Sequence, residues 1–468
     1  MDALDLARWQ FGITTVYHFL FVPLTIGLSF LVAGMQTVWV RTGNPSYLRL
    51  TKFFGELFLI NFALGIVTGI VQEFQFGMNW STYSRFVGDI FGAPLAIEGL
   101  LAFFLESTFL GLWIFGWDRL PQKVHLATIW IAAIGTVLSA YFILAANAWM
   151  QYPVGYTFNE AAGRAELTDF GAVLTNPLAV VTFFHTIVAA LMTAGAFVAG
   201  VALWRIARRP DADAGAFRSA GRIGATCVLI AGALVFVTGD QQARVMTDVQ
   251  PMKMAAAEAL YETSQPASFS IFTVGSLDGS RELFSVRIPN VLSFLATGDF
   301  EGRVEGINDL QAEYQARYGT GDYRPIIPIT YWTFRLMIGM GALAALAAAW
   351  MLWSLRRGSI RPNRWVVAVA VVLPLLPLLA NSIGWIFTEL GRQPWIVFSL
   401  MGTSAGVSPG TSSLEVGLTM VTFTLLYGGL AVVEVALLLR RIRAGLPPEP
   451  SPAGDADDEA GRPAAFAY

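Results

Sequence analysis

The sequence is short of charged residues and of cysteine, and each shortage excludes a class of protein. Charged side chains make up 13% of the 468 residues, whereas a soluble domain has about 25%. Hydrophobic residues make up 55% and the mean hydropathy is +0.57, so the composition predicts a polytopic membrane protein. The single cysteine, Cys227, excludes an intrachain disulfide and a cysteine cluster for zinc or iron–sulfur. The formal net charge of −3 says little about partners, because lipid is the main solvent, and no nucleic-acid partner is expected.

Nine apolar runs are long enough to cross a bilayer, which takes about 20 mostly apolar residues per helix. The runs are continuous and not alternating, so every span is predicted to be a helix. The N-terminus lacks a basic region followed by a cleavage site, and we interpret it as part of a retained first helix. The predicted spans cover residues 11–40, 53–76, 93–117, 125–149, 177–204, 221–237, 326–353, 365–387 and 414–439.

Arginine and lysine are concentrated in alternate loops, which predicts the orientation of the chain. By the positive-inside rule these loops are cytoplasmic, which places the N-terminus outside and the C-terminus in the cytoplasm. The long segment between the sixth and seventh spans is then a folded extracytoplasmic loop. The predicted regions are spans one to six in 1–237 (a first bundle in 1–150, a second from near 177), the loop in 238–325, spans seven to nine in 326–443, and a disordered cytoplasmic tail in 444–468.

Residues that can bind iron occur in four different spans at one predicted depth. His18, His185, Met337 and Glu389 all fall in the outer half of the membrane. An ionisable group at membrane depth is costly and is a functional-site hypothesis by default. Helical bundles hold cofactors with side chains from facing helices, and His, Met and carboxylate are axial ligands of haem, whereas the lack of a suitable cysteine excludes thiolate ligation. The sequence therefore predicts haem.

Simpler interpretations exist for each of these residues. A lone His in a span can hydrogen-bond a neighbouring helix, and Met337 can be a packing residue, with Met340 one turn further on as a competing ligand. His125, at the start of the fourth span, is interpreted as an interfacial polar group. Three arginines near the ligand-type residues could pair with haem propionates, because a guanidinium binds a carboxylate in a bidentate manner; these are Arg8, Arg335 and Arg392.

Further carboxylates suggest proton transfer and head-group binding. Glu98 and Glu106 lie about 12 Å apart along the third span, and both should face the protein interior. They fit a proton relay, and a structural hydrogen bond is the alternative for each of them. In the long loop, Pro251 is predicted to open a helix on which Lys253 and Glu258 could flank a polar head group; alone, such a pair is usually just solvated.

Several separated motifs resemble one family, subunit I of the cytochrome bd quinol oxidases. The resemblance covers nearly the whole chain up to about residue 443. The motifs are Tyr17-His18-Phe19, Glu73 to Gly77 followed by Asn79-Trp80, Gly88 to Glu98, Phe104 to Thr108, Gln250-Pro251 with Lys253 and Glu258, and Gly384 to Trp395.

The resemblance implies a set of haems and their ligands. A low-spin haem b would be bound by His185 and Met337, assisted by Arg335. Two high-spin haems, one b and one d, would use His18 and Glu389, with Glu98 close to the same site or ligating it. Trp385 would lie between haems, and it shares a helix face with Glu389. Which residue ligates haem d, and whether a third haem b replaces it, stay open.

The resemblance also implies the fold, the reaction and the partners. The fold would be all-α, with two four-helix bundles and a peripheral ninth helix. Quinol, either ubiquinol or menaquinol, would bind at a loop of the short kind near Lys253 and Glu258, and dioxygen would be reduced to water with cytoplasmic protons that pass Glu106, Glu98 and Ser139. Partners would be a homologous subunit II and a small single-helix subunit, in the bacterial plasma membrane. The alternatives are a quinone-linked haem b electron carrier and an ion transporter, although a transporter should have paired broken helices.

Overall fold

The computed structural model describes residues 2–209, 213–276, 279–358, 360 and 363–449. Within these residues, nine helices are long and apolar enough to cross a membrane, which confirms the predicted number. Two of the spans contain more than one helix: the fifth has a short helix before its long one, and the third has a π-helical segment (Glu98–Phe103) between two α-helices. The span helices are α1 (Ala3–Thr42), α2 (Pro45–Met78), α3 (Ser81–Ile97), α4 (Phe104–Phe115), α5 (Gln122–Gln151), α6 (Phe170–Leu174), α7 (Pro177–Arg208), α8 (Ala214–Val249), α12 (Ile327–Arg356), α13 (Arg364–Leu390) and α14 (Ser413–Ala444).

Short elements are concentrated in the connections at one end of the spans, here called the loop end. In the part of the chain that the structure describes, three antiparallel two-stranded sheets occur there. The strands are β1 (Tyr156–Asn159), β2 (Arg164–Leu167), β3 (Phe269–Gly275), β4 (Glu282–Ile288), β5 (Trp395–Val397) and β6 (Met401–Gly402), and the helices are α9 (Pro251–Glu258), α10 (Val291–Thr297) and α11 (Ile307–Tyr318).

The spans form two four-helix bundles and one outlying helix, as expected. The first bundle contains α1, α2, the third span and α5, and the second contains α7, α8, α12 and α13. Helix α1 contacts both α7 and α13 and so joins the bundles, while α14 packs on α1 and α2 from outside. Of the residues in α14, Val416 and Tyr427 alone are buried, which makes it the peripheral helix.

Small residues let the helices of the second bundle approach closely. A Cβ on Gly195 of α7 would lie 2.9 Å from the carbonyl oxygen of Gly224 in α8, and a Cβ on Gly224 would lie 2.6 Å from the carbonyl oxygen of Gly195. Such contacts require glycine on both helices, and small residues of this kind are common where membrane helices meet. The crossing fixes the position of α8 against α7.

The connection between α1 and α2 is short because the sequence ends one helix and starts the next. Gly43 adopts φ 66° after the last turn of α1, a left-handed conformation that suits glycine. Asn44 then caps α2 by accepting a hydrogen bond from Ser46 N, and Pro45 occupies the first helical position. The two helices are therefore antiparallel neighbours.

The segment between α8 and α12 folds onto the bundles. Its core contains Met252, Ile307 and Tyr314, which pack with Tyr331 of α12. The predicted disordered tail starts at Ala444, which is the last residue of α14. Shortly after it the chain contacts α2, since Arg49 donates to the carbonyl oxygen of Pro447 at 2.6 Å. Residues 450–468 lie outside the described residues, and their disorder stays a prediction.

Candidate functional site

Two of the histidines have the same surroundings on different helices. His18 Nδ1 lies 2.9 Å from Thr68 Oγ1 of α2, and a Cβ on Gly69 would lie 3.1 Å from His18 Cε1. In the second bundle, His185 Nδ1 lies 3.1 Å from Thr238 Oγ1 of α8. A threonine–glycine pair on the next helix supports the ring there too, because a Cβ on Gly239 would lie 3.4 Å from His185 Cε1.

The hydrogen bonds of the threonines determine which ring nitrogen is free. The hydroxyl of Thr68 donates to a carbonyl oxygen of its own helix, Gly65 O at 2.9 Å, and that of Thr238 donates to Leu234 O at 2.9 Å. Each hydroxyl has one hydrogen, so it accepts from Nδ1–H of the histidine. Nε2 of His18 and of His185 then keeps its lone pair, which is the arrangement of a metal-ligating histidine with a second-shell partner.

His125 differs from the other histidines because both of its ring nitrogens are used. Nδ1 lies 2.9 Å from Gln36 Nε2, and Nε2 lies 2.8 Å from the carbonyl oxygen of Trp113. Nε2 must donate to that carbonyl, so Nδ1 accepts from the amide of Gln36. This histidine has no lone pair left for a metal, which agrees with its exclusion as a ligand. It is 2% exposed, so it is a buried structural residue and not the interfacial polar group that the sequence suggested.

Met337 faces a glycine of α13. A Cβ on Gly384 would lie 2.6 Å from Met337 Sδ, so glycine leaves room for the thioether at this place. The next residue, Trp385, stacks on Phe19 of α1 with ring centroids 5.0 Å apart, and its indole N–H is buried without a hydrogen-bond partner. The Gly384 to Trp395 segment therefore reaches both Met337 and the neighbourhood of His18.

Glu389 is held by partners on both sides. Arg392 donates to Glu389 Oε2 at 2.5 Å, and Asn147 of α5 donates to Glu389 Oε1 at 2.8 Å. Arg392 is 3% exposed, and two of its other donor atoms, Nε and Nη1, are buried with no partner. Such orphaned donors are costly, and they suit an anionic group such as a haem propionate.

Lys253 and Glu258, at the two ends of α9, are both buried and turn to different partners. Lys253 donates to Gln151 Oε1 at 2.5 Å, and burial, followed by the charge of Arg392, lowers the pKa of its amine to about 7. Glu258 accepts from Arg335 at 2.6 Å, and burial raises the pKa of this carboxyl, an effect that Arg335 opposes. Neither polar group is exposed to solvent, since the two residues are 3% and 1% exposed.

Arg335 connects the long loop to the helix of Met337. Besides its bond to Glu258, Arg335 donates to Ser270 O at 2.9 Å, while its Nη1 is buried without a partner. Its guanidinium lies 4.8 to 5.2 Å from three aromatic ring centroids, those of Phe269, Tyr331 and Phe334. Like the unpaired donors of Arg392, the unpaired Nη1 of Arg335 fits a haem propionate.

The third span carries a π-helical segment between its two carboxylates. Glu98 begins this segment and accepts from Ser139 of α5 at 2.7 Å, while Glu106 is 8% exposed. In a regular α-helix eight residues would offset the two by about 80°. The wider π turn reduces this offset, and such turns often occur at functional sites.

Some of the predicted site residues contact one another in the structure, and others do not. It joins Glu98 to Ser139, Glu389 to Arg392 and Glu258 to Arg335, whereas Arg8 is exposed on α1, so its role stays a prediction. The sequence analysis missed the supporting residues Thr68, Thr238, Asn147 and Gln151. The only available signal was the recurrence of threonine followed by glycine in two spans.

These features define a class: a polytopic membrane protein that holds redox cofactors between its helices. The residues present fit haem, because two histidines each keep one free Nε2 and because two arginines, Arg335 and Arg392, keep buried donor atoms without a partner. A family model described as "Cytochrome bd terminal oxidase subunit I" matches residues 6–446. The chain belongs to this family, whose members are haem-containing subunits of terminal quinol oxidases and work with a subunit II.

Individual relatives agree with the family over nearly their full length. The chain is 47% identical to cytochrome bd ubiquinol oxidase subunit 1 of Bacillus subtilis, over 95% of this chain and 94% of the relative. It is 38% identical to cytochrome bd-II ubiquinol oxidase subunit 1 of Escherichia coli, over 95% and 97%. The solved bd oxidase from Geobacillus thermodenitrificans matches with a TM-score of 0.86 and 29% identity, over 95% of this chain and 99% of that chain.

Proposed function

We propose that this subunit carries the haems of a quinol:dioxygen oxidoreductase that oxidises quinol at the outer face and reduces dioxygen to water. Protons would come from the cytoplasm, so the reaction would generate a proton motive force without pumping. The observation that supports this most is the pair of histidines with one free ring nitrogen each, on separate helices, beside a third histidine that has none.

Each proposed haem has its own set of residues. His185 and Met337, assisted by Arg335, would hold a low-spin haem b. His18 and Glu389 would hold the high-spin haems b and d, with Glu98 close by and Trp385 between the haems. Arg392 and Arg8 would pair with propionates. When bound, the haems would supply electron transfer and an open iron position for dioxygen.

Quinol oxidation is proposed for the loop that contains α9. Lys253 and Glu258 remain the predicted quinol-contact residues, although contact would require their buried groups to become accessible. Quinol bound here would release its protons at the outer face, if the N-terminus lies outside and the C-terminus in the cytoplasm, as the loop charges predict. Neither ubiquinol nor menaquinol is favoured by the residues of the loop.

Proton uptake is proposed along the third span. Glu106 is buried within the first bundle, and Glu98 bonds Ser139 on α5. Carboxylic acids can take up and pass on a proton, and the hydroxyl of Ser139 can orient the receiving oxygen. The route would run from the cytoplasmic end through Glu106 to Glu98.

A small single-helix subunit would complete the complex in the bacterial plasma membrane.

The purified complex should show both kinds of haem in a dithionite-reduced minus air-oxidised absorbance spectrum. A far-red chlorin band beside b-type bands, together with quinol-driven oxygen uptake, would support the proposal. Haem b bands without oxygen uptake would contradict the oxidase proposal and would instead support a quinone-linked haem b electron carrier. A folded complex without haem would overturn both functions.

A further inference from the structure

A continuous chain of hydrogen bonds links the loop to Glu389. Lys253 Nζ donates to Gln151 Oε1 at 2.5 Å, and Gln151 Nε2 donates to Asn147 Oδ1 at 2.8 Å. Asn147 Nδ2 donates to Glu389 Oε1 at 2.8 Å. The chain thus starts at a cationic side chain of α9, passes through two amides of α5, and ends at a carboxylate of α13.

The two ends of the chain determine the direction of every bond in it. A lysine ammonium can only donate, and an ionised carboxylate can only accept. The amide oxygen of Gln151 must therefore face Lys253, and the amide nitrogen of Asn147 must face Glu389. All three bonds point the same way, and aligned hydrogen bonds in a poorly polar interior polarise one another.

The position of Lys253 favours an internal role. The residue is 3% exposed, and Gln151 is 4% exposed. The stem of the lysine packs on Gly391, where a Cβ would lie 2.8 Å from Lys253 Cγ. The neighbouring Gln250 anchors the start of α9 by donating to the backbone carbonyl of Gln151 at 2.5 Å. The amine is thus held at the carboxylate side of the site, away from solvent.

We propose that Lys253, besides its proposed place in the quinol site, is a positioning residue of the Glu389 site that acts through Gln151 and Asn147. It holds Glu389 Oε1 from one side while Arg392 holds Oε2 from the other. The chain draws electron density away from the carboxylate and so would weaken it as an iron donor. The proposal rests on the proposed function in one respect, that Glu389 binds a high-spin haem.

The test uses three variants of the whole purified complex: Lys253→Met, Gln151→Glu and Asn147→Leu. Gln151→Glu is informative because the new carboxylate still accepts from Lys253 but has no N–H for Asn147, so it breaks the chain and keeps the loop anchored. Lys123→Met is the matched control, since Lys123 is exposed at the start of α5. The readouts are the midpoint potentials of the high-spin and low-spin haems, with KM and kcat for quinol.

All three variants should shift the high-spin potential downwards, because Asn147→Leu removes the hydrogen bond to Glu389 and the other two variants weaken it by breaking the chain behind it. A carboxylate with a lost or weakened donor is a stronger iron ligand and stabilises ferric iron. The low-spin potential should stay at the control value in all three variants, and KM should stay there in Gln151→Glu and Asn147→Leu. In Asn147→Leu kcat should fall about tenfold, as expected for one hydrogen bond to a charged group, and less in the other two variants. The double variant Lys253→Met/Asn147→Leu should shift no further than the larger single variant, since both break one chain.

Two results would overturn the role of Lys253. One is an unchanged high-spin potential in Lys253→Met, which would leave the lysine with its proposed quinol contact alone. The other is a Gln151→Glu complex with the potentials of the control. A wild-type complex without haem would instead overturn the proposed function itself, so the two failures are distinguishable.

Discussion

The supporting threonines explain at the residue scale how a histidine becomes a ligand. A histidine in a membrane span has two nitrogens, and the partner of one decides whether the other can bind a metal. Thr68 and Thr238 each accept from Nδ1 because their own hydrogens are held by helix carbonyls. No pattern in the sequence reveals this, since the threonine lies about 50 residues from its histidine in the chain and the pairing depends on how two helices pack.

The first prediction concerns Thr238→Val, which keeps the shape of the side chain and removes the hydroxyl. We expect the low-spin haem to be bound 10–100-fold more weakly, about the effect of losing a second-shell partner, because the tautomer of His185 is no longer fixed. The low-spin absorbance band of the purified complex, titrated against added haem, measures this change.

Thr247→Val on the same helix is the matched control. Its hydroxyl donates to Ala243 O, so its loss should leave the low-spin haem intact. Equal haem loss in both variants would show that helix packing, and not the bond to His185, is responsible.

At the scale of the element, the existence of each spanning helix could be predicted and its ends could not. Apolar length identified all nine spans, but α8 continues from the predicted end at residue 237 to Val249. Hydropathy indicates which residues lie within the bilayer, whereas capping residues and loop contacts decide where a helix ends. The π-helical segment after Ile97 was equally hidden, because one wide turn changes neither composition nor hydropathy.

The second prediction concerns the proposed proton route along the third span, past this π-helical segment. Glu106→Gln and Ser139→Ala should both lower the rate of proton-coupled turnover, roughly 10²-fold for the first if it transfers a proton and less for the second. Haem content should remain at the wild-type level, because neither side chain is a proposed ligand. Stopped-flow measurement of proton uptake during oxygen reduction tests this.

Ser107→Ala is the control for these variants, since Ser107 is exposed one residue after Glu106. Wild-type proton uptake in Glu106→Gln would assign that carboxyl a structural hydrogen bond, which is the alternative that the sequence left open.

On the scale of the whole molecule, α9 is the element that connects the two proposed haem regions. Its first turn points Lys253 to Gln151 and Glu389, and its last residue, Glu258, pairs with Arg335. The sequence located these residues by depth and by motif. It could not pair them, because their partners are 77 to 102 positions away and converge only when the loop folds onto both bundles.

This division predicts opposite effects for the two ends of α9. Glu258→Gln removes a negative charge beside Arg335, so the midpoint potential of the low-spin haem should rise, while the high-spin potential stays unchanged. Lys253→Met should do the reverse, lowering the high-spin potential alone. Glu262→Gln, in the same loop but exposed, serves as the control. If either variant shifted both haems together, α9 would act as one rigid support; separate shifts would mean that each end of this short helix serves its own haem.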